Sequence, residues 1–247
     1  MEVHSHTHTA RKKWTHYFWE FLMLFLAVFC GFIAENFREH NVEKQRGKQY
    51  IRSFYEDLKT DTATLSAVID ADNIKLTALG GIFKCYDTLR ENWQFTSCLI
   101  PIEKNTRSNF TVVFSIGTLQ QLKNAGGYRL LDEEDRDSVM AYDSRIQNYK
   151  DYESTIFQES QDNVRNTFGE LVDFNARKFL QPAIAGPDSS HTGIPLLFTD
   201  NKTLLNKYFN DLFRYKIVTE GQKRNMIQIR GKAIVLINYF KQKHHLE

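Results

Sequence analysis

From Ile51 onward, apolar residues recur every third or fourth position. With Ile51 as heptad position a, the a series is Ile51, Leu58, Leu65, Asp72, Leu79, Tyr86 and Trp93, and the d series is Phe54, Asp61, Val68, Lys75, Ile82 and Leu89. All are apolar or aromatic except Asp61, Asp72 and Lys75. Position e adds Tyr55, Ile69, Leu76 and Phe83, so the stripe is as wide as that of a bundle helix rather than a two-stranded seam. Gly80 and Gly81 are the weak point, suited to a kink. Residues 94–115 read as irregular, with Pro101, Asn105, Ser108 and the β-branched pair Val112–Val113. A short helix over 116–124 follows, ended by Gly126 and Gly127, because glycine adopts the left-handed C-terminal conformation at little cost. Asp132 then caps a third helix whose acidic first turn, Glu133, Glu134 and Asp135, complements the macrodipole. Its stripe is Val139, Tyr142, Ile146, Tyr149, Ile156, Val164, Phe168 and Leu171, and it is expected to reach Leu180. Pro182, Gly186, Pro187, Gly193 and Pro195 mark a long loop. Thr199 or Asp200 is expected to cap the last helix, whose stripe is Leu205, Tyr208, Leu212, Tyr215, Met226, Ile229, Ala233, Leu236 and Phe240. Thr219 and Gln222 interrupt that stripe beside Gly221.

The N-terminal pattern is different. Phe21 to Ala34 is an unbroken apolar or small run, and Tyr17, Phe18, Trp19 and the single charge Glu20 extend it to eighteen residues. At 1.5 Å per residue this gives about 27 Å, close to a bilayer's hydrocarbon thickness. Trp14, Tyr17 and Trp19 suit an interfacial aromatic belt, and Arg11, Lys12 and Lys13 precede them. A cleaved signal peptide shares the basic and apolar regions, but Phe32-Ile33-Ala34 and Phe29-Cys30 offer no small-x-small cut. The reading is an uncleaved anchor over 14–37, with a cytoplasmic tail over 1–13 and an extracytoplasmic domain over 38–247. Orientation rests on proximity. The three N-terminal cations abut the span, whereas Arg38, Lys44, Arg46 and Lys48 are interleaved with Glu35, Glu39 and Glu43.

Composition narrows the fold. Twelve Gly and four Pro among 247 residues are few for a many-stranded sandwich or barrel. Mean hydropathy of −0.46 excludes a polytopic membrane protein. With 32 basic and 30 acidic side chains, the net charge of +2 gives no reason to expect nucleic acid as a partner. The expected fold class is all-α: a transmembrane helix continuing into an antiparallel bundle of three long helices and one short one.

Candidate chemistry is sparse. His4, His6 and His8 alternate in the tail without the acidic or thiolate ligands of a fixed metal site. His16 and Glu20 share a face at the start of the span, where Glu20 can anchor at the interface, contact another helix, or handle protons. Asp61, Asp72 and Lys75 read as partnered core charges, as helix ends facing a loop, or as a cavity lining. A second copy of the chain, or Lys75 across a bundle seam, would satisfy the two aspartates. The acidic run Glu133, Glu134, Asp135 and Asp137 reads as helix capping rather than a metal site. Cys30 lies in the span, while Cys85 and Cys98 either form a disulfide or remain buried thiols. There is no phosphate-binding glycine loop, no zinc-type Cys or His spacing and no nucleophile elbow. No enzyme activity, cofactor or metal is expected.

Two stretches carry a resemblance. One is Arg11-Lys12-Lys13-Trp14-Thr15-His16-Tyr17-Phe18-Trp19-Glu20-Phe21, with Gly31-Phe32-Ile33-Ala34-Glu35-Asn36 and Lys48-Gln49-Tyr50-Ile51. The other is Leu119-Gln120-Gln121-Leu122-Lys123-Asn124-Ala125-Gly126-Gly127-Tyr128-Arg129-Leu130. Together they resemble a family of uncharacterised bacterial single-pass membrane proteins, classed as a domain of unknown function. The resemblance implies an anchored helical domain and no particular activity; the expected setting is the bacterial inner membrane. Phe37, where a polar residue is expected, departs from it.

The functional expectation is a membrane-anchored interaction or scaffold module of the bacterial envelope. Its partners would be the lipid bilayer and a second copy or another membrane protein. The alternative is an extracytoplasmic ligand-sensing bundle, which needs a partner protein because the thirteen residues before Trp14 leave no room for a signalling domain.

Overall fold

The computed structural model describes residues 14–94, 96–176 and 196–246. Among them there is no β-strand, only one antiparallel bridge between Val172 and Leu197. The chain divides at Gln49/Tyr50 into an N-terminal unit and a larger compact unit. The described part of the N-terminal unit is entirely helical. Its apolar residues are exposed, for example Phe21 at 65% and Phe32 at 70%. One eighteen-residue window near its start has a mean hydropathy of 2.0, so this helix is long and apolar enough to cross a membrane.

The larger unit is built on three long helical runs. Helix α1, Trp14–Leu79, enters this unit at Tyr50 and stops at Gly80–Gly81. The expected break falls there, with the Gly80 and Gly81 amides bonded back to Thr77 and Ala78, and the chain resumes as a helix at Ile82. The second run comprises α5, Glu133–Tyr152, a π-helical turn, Glu153–Phe157, and α6, Gln158–Leu171. The third is α7, Lys202–His244. Phe54 packs on Phe240, Ser66 meets Arg230 and Asn73 meets Lys223, so α7 runs antiparallel to α1. It also runs antiparallel to α5–α6: Asp135 meets Tyr239, Tyr149 meets Gln222 and Thr167 meets Asp211.

The connection between α1 and α5 is more ordered than its composition suggests. It contains α2, Ile82–Glu91, α3, Leu99–Arg107, and α4, Gly117–Asn124. Helix α3 corrects the expectation of irregular chain over 94–115. Pro101 falls in its first turn, where the absent N–H is not needed. Residues 108–116 form no helix or strand, and Val112 and Phe114 are buried while Val113 is exposed. Helix α2 continues the expected first stripe beyond the glycines, and the bundle gains the short helix α3. Gly126, at φ +63°, supplies the expected left-handed residue after α4. Asp132 accepts from the Asp135 amide as the expected cap.

Two expected boundaries move. Helix α6 ends at Leu171 rather than near Leu180, because Val172 turns extended and the amides of Asp173 and Phe198 bond across to Leu196 and Leu171. The cap of α7 is Asn201, whose Oδ1 accepts from the Thr203 and Leu204 amides, while Thr199 instead accepts from the Asn201 amide. The predicted tail histidines and the Pro182–Pro195 loop lie outside the described residues.

The interior has two apolar clusters. One joins Ile51–Ile69 of α1, Val139–Tyr149 of α5 and Met226–Phe240 of α7. The other joins the segment around α2 and α3 with Phe157–Leu171 and Leu205–Val218. Polar side chains occupy the level between them.

Candidate functional site

The intervening level is assembled from residues that interrupt the apolar stripes. From α1 come Asp72 and Lys75, exposed by only 1% and 2%. Being three residues apart, they meet on one helix face, with Lys75 Nζ 3.3 Å from Asp72 Oδ1. Two aromatic faces enclose the ammonium, Phe157 at 5.4 Å and Tyr215 at 5.7 Å from the ring centres. From α5 and α7 come Tyr149, Glu153 and Gln222. Tyr149 donates to Glu153 Oε1 at 3.3 Å, and Gln222 Nε2 donates to Tyr149 Oη at 3.1 Å. Buried Ser160, Gln161 and Thr219 complete the level. Asp72 Oδ2, Lys75 Nζ, Ser160 Oγ, Tyr215 Oη and Gln222 Oε1 are buried without a hydrogen-bond partner.

The π-turn sets the register here. An α-helical continuation from Tyr149 would bring Ile156 inward, as the stripe implies. The extra residue in the wide turn instead buries Phe157 completely and leaves Ile156 43% exposed. Opposite this turn, Gly221 lets α7 come close. A Cβ at Gly221 would lie 2.6 Å from Tyr152 Oη, which donates to the Val218 carbonyl at 3.0 Å.

Electrostatics follow from dehydration. Burial drives the Asp72 carboxyl above its ordinary range, against the pull of Lys75 and Lys223. It drives the Lys75 amine down, with Asp72 opposing and Arg165 reinforcing the shift. Glu153 is raised by burial and by Asp72, with Tyr149 and Lys150 opposing. Both members of the ion pair are thus pushed toward neutrality. At 2% exposure, the Lys75 amine is shielded from any substrate in this conformation.

Asp61 plays another part. It accepts from the Ser115 amide at 2.7 Å and from the Tyr142 hydroxyl at 2.8 Å. A core aspartate therefore ties the segment 108–116 to α1, and α5 beside it. Burial still raises its carboxyl, while these two donors hold the rise back. Both aspartates thus find partners within the chain, Asp61 with both oxygens and Asp72 with one.

The remaining predicted residues lie apart from this level. Trp14, Tyr17 and Trp19 are exposed in the N-terminal unit, where His16 Nε2 lies 3.2 Å from Glu20. Cys30 is free and exposed. Cys85 and Cys98 are joined by a disulfide with their Cα atoms 5.5 Å apart, tying α2 to the start of α3. The acidic start of α5 meets the end of α7. Lys243 lies within 3.1 Å of Asp132, Glu134 and Asp135, and His244 Nε2 lies 2.8 Å from Asp135 Oδ2. His244 carried no sequence signal, because its partner is 109 residues away. Among the described residues, no three His, Cys, Asp or Glu side chains are placed to hold a metal ion.

No family model, no curated protein and no solved structure matches the chain.

Proposed function

We propose that this protein is a membrane-anchored helical interaction or scaffold module of the bacterial envelope, without catalytic activity. One observation carries the reading: a single helix, α1, contains both the membrane-compatible window and a principal core helix of the larger unit. A span that served only for export would not need to share its helix with the core. The bilayer is the first partner, and a second copy or another membrane protein, met through the anchor, is the second. The proposed setting is the inner membrane, with the larger unit in the periplasm. Arg11, Lys12 and Lys13 support a cytoplasmic N-terminus, and the Cys85–Cys98 bridge suits an oxidising compartment. The resemblance carried by the basic-aromatic motif agrees with a single-pass anchor.

The test uses the intact chain in a bacterial host. Carbonate washing is expected to leave it in the membrane pellet. External protease is expected to degrade the larger unit in spheroplasts but not in intact cells. Affinity capture from solubilised membranes is then expected to return one stoichiometric membrane protein or a second copy. Release by carbonate, or a protease-resistant domain in spheroplasts, would overturn the placement.

A second reading, an extracytoplasmic sensing bundle acting through a partner, draws on the polar level. Its unsatisfied buried groups and π-turn lie where α1, α5–α6 and α7 meet, and such a level is a natural place for two packings to interchange.

A further inference from the structure

A cleft of about 160 Å³ opens between α5 and α7, one helical turn from the π-segment. Its walls are Arg145, Asn148, Asn225 and Gln228, and Tyr149 and Ile229 also line it. No hydrogen bond or ion pair to another described residue engages any of the four polar side chains. They offer one guanidinium and three carboxamides, and no carboxylate lines the cleft.

We propose that this cleft binds a small organic carboxylate of amino-acid size. The chemistry selects that class. A guanidinium presents paired N–H donors matched to the two oxygens of a carboxylate. Carboxamides both donate and accept, which suits a ligand carrying an amine, amide or hydroxyl beside its acid group. Ile229 and Tyr149 line the cleft but are almost fully buried, so the polar walls supply most of the ligand contacts. The volume of about 160 Å³ suits a ligand of that size.

The cleft also communicates with the core. Tyr149 lines it, and its hydroxyl accepts from Gln222 and donates to Glu153, the first residue of the π-turn. A ligand seated in the cleft is therefore one residue, Tyr149, from the level between the two apolar clusters. This inference goes beyond the scaffold reading and does not depend on it.

The experiment uses the full-length chain in detergent micelles, with acetate, succinate, L-aspartate and L-glutamine as probes and inorganic phosphate and chloride as controls. Isothermal titration and thermal unfolding are read together. Succinate, L-aspartate or L-glutamine is expected to bind and raise Tm. Arg145→Gln is expected to weaken that binding about tenfold or more, the scale of a lost paired charge-assisted contact. Asn225→Leu is expected to weaken it less. Lys84→Gln, an exposed change on α2, is expected to leave it unaltered. Because Arg145 is exposed, Arg145→Gln keeps the unliganded Tm, which separates lost binding from lost folding. Three results would each overturn the proposal: no binding of any carboxylate probe in the millimolar range, binding indifferent to Arg145→Gln, or equal binding of phosphate and chloride.

Discussion

Asp61 and Asp72 share the inner face of α1, yet they are satisfied by different means. Asp61 takes two donors from distant segments, whereas Asp72 has Lys75 one turn along and one oxygen left over. Removing one member of a buried ion pair strands the other, at a cost of about 3–5 kcal/mol, whereas replacing both with apolar groups is often neutral or stabilising. Lys75→Met alone is therefore expected to destabilise the chain strongly, and Asp72→Leu with Lys75→Met to recover most of the loss. Urea unfolding followed by circular dichroism checks this. Glu153 gives a pH signature. Its folded-state value is raised, so the folded chain holds a proton that the unfolded chain has released. The stabilisation from that proton is complete below the ordinary carboxyl range, about pH 4, and is lost as pH rises through the raised value. Glu153→Gln keeps a neutral side chain at every pH. It is expected to match the wild type near pH 4 and to exceed it in stability by pH 7, as parallel thermal melts would show.

The helical elements carry two further tests. At Gly221, a methyl group would collide with Tyr152 Oη, although its next neighbour, Tyr152 Cζ, stands at 3.5 Å. Overpacking of this kind costs about 1–3 kcal/mol, while alanine in a helix gains about 0.5–1 kcal/mol over glycine. Gly221→Ala is expected to destabilise the native chain but to become neutral or stabilising in a Tyr152→Phe background, a reversal of sign measurable by denaturant melts. The second test concerns α2 and α3. Cys85 and Cys98 close a short loop, and losing such a crosslink typically costs about 2–4 kcal/mol. The double change to serine is expected to lower Tm, and dithiothreitol should lower the wild type toward the same value without altering the variant.

For the whole molecule, the division at Tyr50 separates two solvent preferences. The N-terminal unit exposes aromatic and aliphatic side chains along its apolar window, whereas the larger unit encloses its own clusters. A chain beginning at Tyr50 is therefore expected to be water-soluble and mostly helical by far-ultraviolet circular dichroism, and the intact chain to require detergent. Light scattering in detergent, corrected for bound detergent, checks association. Since Asp61 and Asp72 are served within the chain, an oligomer of the intact chain is expected to dissociate when the anchor is removed.

Periodicity, caps and the apolar window were legible in the sequence because they depend on residues within one or two helical turns. Hydrophobic spacing marked α1, the α5–α6 run and α7, Asp132 announced its helix, and Gly126 announced its turn. The same patterns showed Asp61, Asp72, Lys75, Thr219 and Gln222 as polar intruders on core faces. Tertiary structure alone decided what those intrusions do. Tyr142 reaches Asp61 across 81 residues, Gln222 reaches Tyr149 across 73, and Phe157 displaces Ile156 only because the helix widens as it packs against α7. The cleft at Arg145 was equally invisible, since its walls come from helices far apart in the chain. The physical reason is one of range. Helical hydrogen bonds close over four residues, whereas burying a polar group depends on which distant helix faces it.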